Sequence, residues 1–352
     1  MPPIKHMPFA SLRALVATAL GAMRTAGTRK VGRTAAMAAL AFSTAFGTTC
    51  VQAQAYPNRP IKLIVGFPPG GSSDATARLL ATALSEKLGQ PIVVENKAGA
   101  NTVIATQYVR SQPADGYTLF SVSSSFAINP ALQKLNYNIY KDFTPVALLG
   151  VIPLWLVTPN QVPVRSVGEL VSLAKAQPGR LAYASYGAGS AGHLASELLL
   201  SMTRTNMIHV PYKGTGPAIV DVIGGQVTMM MPTVASSLSL VKEGKLRAIA
   251  VSSSKRVSAV PDVPTIAESG VPGFELVAWE SIQVVAGTPP AIVFRLNTAI
   301  HDIVASPDFR EKLIKLGIEP ETKMASSDVA RFIRSEAEKF EKVIRERNIK
   351  AE

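Results

Sequence analysis

Ile61-Lys62-Leu63-Ile64-Val65-Gly66-Phe67-Pro68-Pro69-Gly70-Gly71-Ser72-Ser73-Asp74 carries an apolar, β-branched run into a proline- and glycine-rich turn, and then into a helical stretch ending at Leu88. A short apolar run closed by turn residues and followed by a 3.6-residue periodicity reads as strand, loop and helix. The unit recurs along the chain. Strands are expected at Ile61–Val65, Ile92–Glu95, Thr118–Ser121, Leu181–Ala184, Ile208–Val210, Val227–Met230 and Leu246–Val251. Helices are expected at Asp74–Leu88, Thr102–Ser111, Ser166–Ala176, Gly192–Thr203 and Pro217–Ile223. Three more, Pro290–Ala305, Pro307–Leu316 and Ser327–Glu346, follow at the C-terminal end. Alternation of this kind predicts an α/β fold with parallel sheets covered by helices on both faces. The last helix carries pairs such as Glu338 and Lys342 and reads as a solvated outer face.

Proline-rich passages at Pro153–Pro163 and Val260–Gly273 bracket the middle of the chain. They are expected to flank two crossovers between lobes. The first lobe would then be discontinuous, residues 56–156 plus 279–352, with the second lobe at 157–278. At 352 residues, 47% hydrophobic and 17% charged, the chain is long enough for two cores.

Residues 1–55 differ from the rest. They hold six basic residues (Lys5, Arg13, Arg24, Arg29, Lys30 and Arg33) and no acid. The apolar run Ala35–Phe46 and the small-residue tail Val51-Gln52-Ala53-Gln54-Ala55 follow. That order predicts a secretory signal peptide cut after Ala55, with Met1 or Met23 as the start. The apolar run falls short of the ~20 residues a membrane span needs. Gly47 and Thr49 are poor residues before a lipidated Cys50, the only cysteine. Losing six basic residues and no acid lowers the formal charge from +12 to +6. The remaining basic residues are spread rather than clustered, so nucleic acid is not an expected partner.

The turn after the first strand has the chemistry of an anion site. Gly70 and Gly71 allow close approach of backbone to a ligand. Ser72 or Ser73 can cap a helix whose first N–H groups carry partial positive charge. No Gly-Lys-Ser/Thr follows, so it is not a Walker loop. Asp74 is expected either to support the helix N-terminus or to pair with Arg78. A second such loop, Ser185-Tyr186-Gly187-Ala188-Gly189-Ser190-Ala191-Gly192-His193, again joins strand to helix. Gly187, Gly189 and Gly192 satisfy G-x-G-x-x-G, but no acid lies between Glu197 and Asp221 to meet a ribose. Ala188-Gly189-Ser190-Ala191-Gly192 is one residue from a nucleophile elbow, which makes a secreted serine hydrolase using Ser190 the rival reading. That reading needs a distant His, and His209 and His301 are poorly placed in sequence for it; His193 can hold the loop instead. Ser123-Ser124-Ser125 adds hydroxyls at a third strand end, where ligands of open parallel sheets bind. Lys213 is a possible charge or a plain loop lysine, and Met229–Met231 reads as core filler.

The chain resembles the receptor proteins of tripartite tricarboxylate transporters, the Bug family. The matching segments are Pro68-Pro69-Gly70-Gly71 with Asp74 and Arg78; Val94-Glu95-Asn96; Asp115-Gly116-Tyr117-Thr118-Leu119; and Asp142-Phe143. His193-Leu194-Ala195 with Glu197, Pro211-Tyr212-Lys213-Gly214, Gly244-Lys245-Leu246-Arg247 and Pro261-Asp262-Val263-Pro264-Thr265 continue the match, in order, over residues 56–345. The resemblance implies a periplasmic two-lobe fold of the type II binding-protein class with two crossovers. It also implies a small organic carboxylate held between the lobes, and no catalysis, metal or cofactor. The receptor is expected to be a monomer serving the membrane subunits of a tripartite tricarboxylate-type transporter or a sensor kinase. The implied ligand-binding set is Phe67, Pro69, Gly70, Gly71, Ser72, Ser73, Asp74, Ser124, Ser125, Ser185, Gly187, Gly189, Ser190, His193 and Thr233.

Three departures stand out. Gly99-Ala100-Asn101-Thr102 replaces the family's Gly-Ala-Gly-Gly, and Asn tolerates the left-handed conformation that glycine would supply there. Pro232 stands where the family often has Asp, and Glu280 where small or aromatic residues are usual. Without an acid at 232, a carboxylate with an uncharged, partly apolar body is expected over an amino acid, unless Glu280 enters the cleft and supplies the charge.

Overall fold

The computed structural model describes residues 56–350, and the signal-peptide reading of 1–55 lies outside them. Eleven strands and ten α-helices are present among the described residues. The opening unit is β1 (Ile61–Val65) running through the glycine turn into α1 (Ser72–Leu88). β2 (Ile92–Asn96), α2 (Val103–Arg110), β3 (Thr118–Ser123), α3 (Ser125–Leu132) and β4 (Phe143–Ile152) follow. The chain then crosses to a second sheet. β5 (Trp155–Pro159), α4 (Val167–Ala176), β6 (Ala182–Ser185), α5 (Ala191–Thr203), β7 (Ile208–Pro211), α6 (Thr215–Ile223), β8 (Met229–Met230), α7 (Val234–Lys242) and β9 (Leu246–Val251) build this part. It returns with β10 (Ala278–Val285), α8 (Pro290–Ala305), α9 (Pro307–Lys315), β11 (Glu319–Pro320) and α10 (Ser326–Glu346).

The first sheet has the order β11-β4-β10-β3-β1-β2, the second β7-β6-β8-β5-β9. Neither is purely parallel, which corrects the expectation from alternation. β1 runs parallel to β2 and β3, but β10 is antiparallel to β3 and β4, and β5 is antiparallel to β8 and β9. The reason is topological. β4 ends and β10 begins at the same sheet edge, Ile152 opposite Ala278, because the chain leaves and re-enters there. β5 starts and β9 ends together in the second sheet, Trp155 opposite Val251. A strand entering from that edge must run against those whose C-terminal loops point toward it.

Alternating side chains of β1 bury both faces of the first sheet, as a covered sheet requires. Leu63 and Val65 pack with Leu80 and Leu84 of α1 and Leu296 and Ile300 of α8. Ile64 joins Phe120, Phe126 and the α10 residues Ile333 and Phe340 on the other side. That contact corrects the reading of the last helix as a solvated face. One side of α10 is core, and its exposed ion pairs include Lys342 with Glu346 rather than with Glu338. Met229, Met230 and Met231 are all fully buried core residues.

Candidate functional site

The register of the two sheets decides where the site forms. Val65 pairs with Ser121 and Glu280 with Ser123, so the ends of β1 and β3 and the beginning of β10 share one edge. Ser185, at the end of β6, lies on the edge of the second sheet to which β8 also runs. A cavity of about 860 Å³ opens between these edges. A smaller hollow of about 540 Å³, walled by Phe294 and Ile292 of α8 and by Leu88, lies elsewhere and has no such convergence of hydroxyls.

Five helices begin at the cavity wall. Ser72 and Ser73 open α1, Ser125 opens α3, Ser190 caps α5, Thr215 opens α6 and Thr233 caps α7. Each N-terminus offers backbone N–H groups without intrahelical partners and a partial positive charge. Ser123, Ser124 and Ser236 add hydroxyls. The charged residues lining the cavity are Glu280 and Lys315, and Lys315 is half-exposed or more and paired with Glu311 at 2.6 Å. The wall therefore suits an anion held mainly by neutral donors.

Of the residues singled out in sequence, Phe67, Ser72, Ser73, Ser124, Ser125, Gly187, Ser190 and Thr233 line this cavity. Pro69, Gly70, Gly71, Asp74, Ser185, Gly189 and His193 do not, and most of them hold the lining in place. The helix cap is Gly71, not Ser72 or Ser73, and no side chain bonds it, because the helix starts one residue earlier than the serines would need. Gly70 has φ +86°, a left-handed conformation that keeps the loop tight around Asp74. The Asp74 carboxylate takes the Gly70 N–H at 3.0 Å, Arg78 Nε at 2.9 Å and Asn96 Nδ2 at 2.8 Å. Both roles expected of it are present at once. The Arg78 hydrogen bond is the main cause that holds its pKa down to about 2, against its burial.

The second loop is held by a cluster of rings in which His193 and Tyr183 are buried and His209 partly so. His193 lies on His209 with ring centres 3.8 Å apart, and the Tyr183 ring centre is 5.0 Å from His209 and 6.2 Å from His193. His193 Nδ1 accepts the Gly189 N–H at 3.0 Å, and Ser185 Oγ meets His209 Nε2 at 2.7 Å while donating to the Gly187 carbonyl. Ser190 Oγ accepts the His193 N–H at 3.3 Å as a helix cap. The imidazole that shares its helix is thus engaged with Gly189 instead of serving Ser190 as a base, and the serine that does touch a histidine, Ser185, is fully buried. The arrangement does not support the hydrolase reading.

Burial, followed by the neighbouring His209, lowers the His193 pKa to about 3. The unfolded chain takes up that proton near about 6.5. The contribution of neutral His193 to stability is therefore complete above that value and is lost as pH falls from there toward 3. NMR of the His193 ring is expected to show no titration between pH 8 and 5; a midpoint near 6.5 would contradict the buried stack.

Several cavity residues were not anticipated. Tyr186 stands in the wall with its hydroxyl accepting the Gly192 N–H at 2.9 Å. Asn101 adopts φ 49° and ψ 50°, as its tolerance of that region suggested, and is fastened by reciprocal bonds with Asn129. Thr215, Ser236 and Trp279 also line the cavity. Lys213 is an exposed loop residue outside it, and Pro232 does not line it. Among the described residues no cluster of His, Cys, Asp or Glu is placed to hold a metal ion.

The family model described as tripartite tricarboxylate transporter family receptor matches residues 76–349. Protein BugT of Bordetella pertussis is 40% identical over 304 residues, 85% of this chain and 93% of that protein. Among solved structures, an R. palustris protein with adipate is 36% identical with a TM-score of 0.74, covering 84% of this chain and 100% of that one. MatC from Rhodopseudomonas palustris with bound malate is 34% identical with a TM-score of 0.70, covering 82% and 100%.

Proposed function

The chain belongs to the tripartite tricarboxylate transporter family of receptors, and on that premise we propose that it captures a small organic carboxylate in the cleft between its two sheets. The observation that carries the reading is the convergence of five helix N-termini and their hydroxyls on one cavity with almost no cationic lining. A carboxylate there is met by N–H and O–H donors that need no counter-charge. The two parts, residues 56–156 with 279–352 and residues 157–278, act as lobes that close on the ligand about the crossovers at Ile152–Trp155 and Val251–Ala278. The donors lining the first lobe are Ser72, Ser73, Ser124 and Ser125, with Phe67 beside them; Gly187, Ser190 and Thr233 close from the second.

The protein works in the periplasm, exported by its first 55 residues, and hands the ligand to membrane subunits of a tripartite tricarboxylate-type transporter. Solved relatives hold adipate and malate, so carboxylates of that size are the first to test here. Material recovered from the periplasm is expected to begin at Tyr56, by intact mass. In a thermal-shift screen of mono-, di- and tricarboxylates at least one is expected to raise its melting temperature. A ligand present at 100 times its Kd adds about 2.7 kcal/mol to the folded state. Retention of Met1, or a screen in which no carboxylate shifts the transition, would contradict the proposal.

A further inference from the structure

Glu280 is the most unusual group in the cleft. It lies on β10 where the strand enters the first sheet, is 1% exposed and lines the cavity. Its Oε1 accepts the Ser73 hydroxyl at 2.7 Å, next to the α1 N-terminus. Its Oε2 is buried without a partner among the described residues. A bare carboxylate oxygen is costly in such a place, and a ligand carboxylate seated on the α1 N-terminus would set a second negative charge beside it. Two carboxylates sharing a buried site cannot both remain ionised without strong repulsion; one proton held between them removes it.

We propose that Glu280 is the specificity-determining residue of the cleft: protonated, it donates from Oε2 to the ligand's anchoring carboxylate while Oε1 keeps the Ser73 hydroxyl. Where Glu280 of the free protein is ionised, capture then takes one proton from solvent, and the O–H bond to the ligand replaces an unpaired oxygen. The same arrangement selects carboxylates and disfavours their 2-amino derivatives, whose ammonium would call for an ionised partner. This inference rests on the carboxylate reading above and deepens it.

The surroundings agree. Burial raises the Glu280 pKa, and the Ser73 hydroxyl bonded to Oε1 opposes it only in part; the Thr76 hydroxyl donates to the Ser72 carbonyl at 3.0 Å. Opposite it, β3 and β4 contribute Ser123 and Gly150, which do not titrate. On α1, Asp74 and Arg78 are paired with each other. Across the cleft Tyr186 is neutral, its pKa raised to about 12 by burial. Lys315, on α9, is held by Glu311. No charged neighbour is among the causes of the Glu280 shift.

Calorimetric titrations between pH 6 and 9.5, in buffers of different ionisation enthalpy, test it. The probes are succinate, glutarate and adipate, with aspartate, glutamate and 2-aminoadipate as their amino counterparts. Above the Glu280 titration the wild-type affinity for a dicarboxylate is expected to fall about tenfold per pH unit with uptake of about one proton. Glu280→Gln, whose amide donates at every pH, should bind with nearly constant affinity and exceed the wild type at pH 9.5. The wild-type arm stands alone if that variant does not fold. Affinity independent of pH in the wild type would overturn the inference. So would tighter binding of an amino derivative that is lost in Glu280→Gln, since Glu280 would then be an ionised counter-charge. Both leave carboxylate binding intact, whereas no heat from any of the six probes would refute the functional reading itself.

Discussion

Gly192→Ala is expected to destabilise the protein by on the order of 3 kcal/mol, the upper range for forcing extra volume into a packed interior. A Cβ at Gly192 would lie 2.5 Å from the Met231 carbonyl and 2.6 Å from Tyr186 Cε1. One of those neighbours is backbone at the end of β8, which cannot rotate away. The other is the ring that lines the cavity and whose hydroxyl takes the Gly192 N–H. Relief would therefore come from lifting the Ser185–Gly192 loop off the second sheet. Gly216→Ala is the control, because nothing lies within 4 Å of a Cβ there. Urea denaturation of both variants checks it. Equal midpoints for Gly192→Ala and the wild type would show that the loop is not packed as described.

Asp74→Asn is expected to cost about 2 kcal/mol or more at pH 7. The carboxylate organises the first loop through three donors, and its side chain is only 5% exposed. An amide presents a donor of its own to at least one of them. The charge-dependent part follows from the pKa, lowered from 3.8 to about 2, at about 1.4 kcal/mol per unit. For a carboxyl with a depressed folded-state pKa, that stabilisation is complete above the unfolded value and disappears as pH falls through the folded one. The gap between wild type and variant should accordingly narrow by about 1 kcal/mol between pH 7 and pH 3. A gap that is absent at pH 7, or unchanged at pH 3, would mean that Asp74 does not carry the loop.

The first loop was legible because each part of it has a local cause. The apolar strand, the glycines and the helix periodicity all lie within 28 residues, Ile61–Leu88. The two choices left open for Asp74 needed coordinates only because one carboxylate can serve both. Strands β4, β5 and β10 were not found. β4 contains Pro145 and Gly150, residues that weaken a strand pattern. β10 places Glu280, Ser281 and Gln283 in a central strand, buried through contacts distant in sequence; Ser281 Oγ, for instance, donates to the Ala147 carbonyl. Helix α7 was missed because Val234–Lys242 is serine-rich. Whether Glu280 enters the cleft depends on strand phase beside a register shift between Glu280 and Ser281, which no local pattern encodes. The histidine stack likewise joins residues from β6, α5 and β7 that only the folded sheet brings together.

The central claim is the proposal that a carboxylate is held in this cleft. Ala188 lies in the cavity wall at the middle of the second loop, so Ala188→Trp puts bulk into the space while leaving every hydroxyl donor of the wall in the sequence. Calorimetry of mature wild type and Ala188→Trp with the carboxylate that shifts melting most is the direct test, with urea denaturation to establish that both fold. One ligand per wild-type chain, and no saturable heat from the folded variant, is the predicted result. Equal binding by both proteins would contradict it.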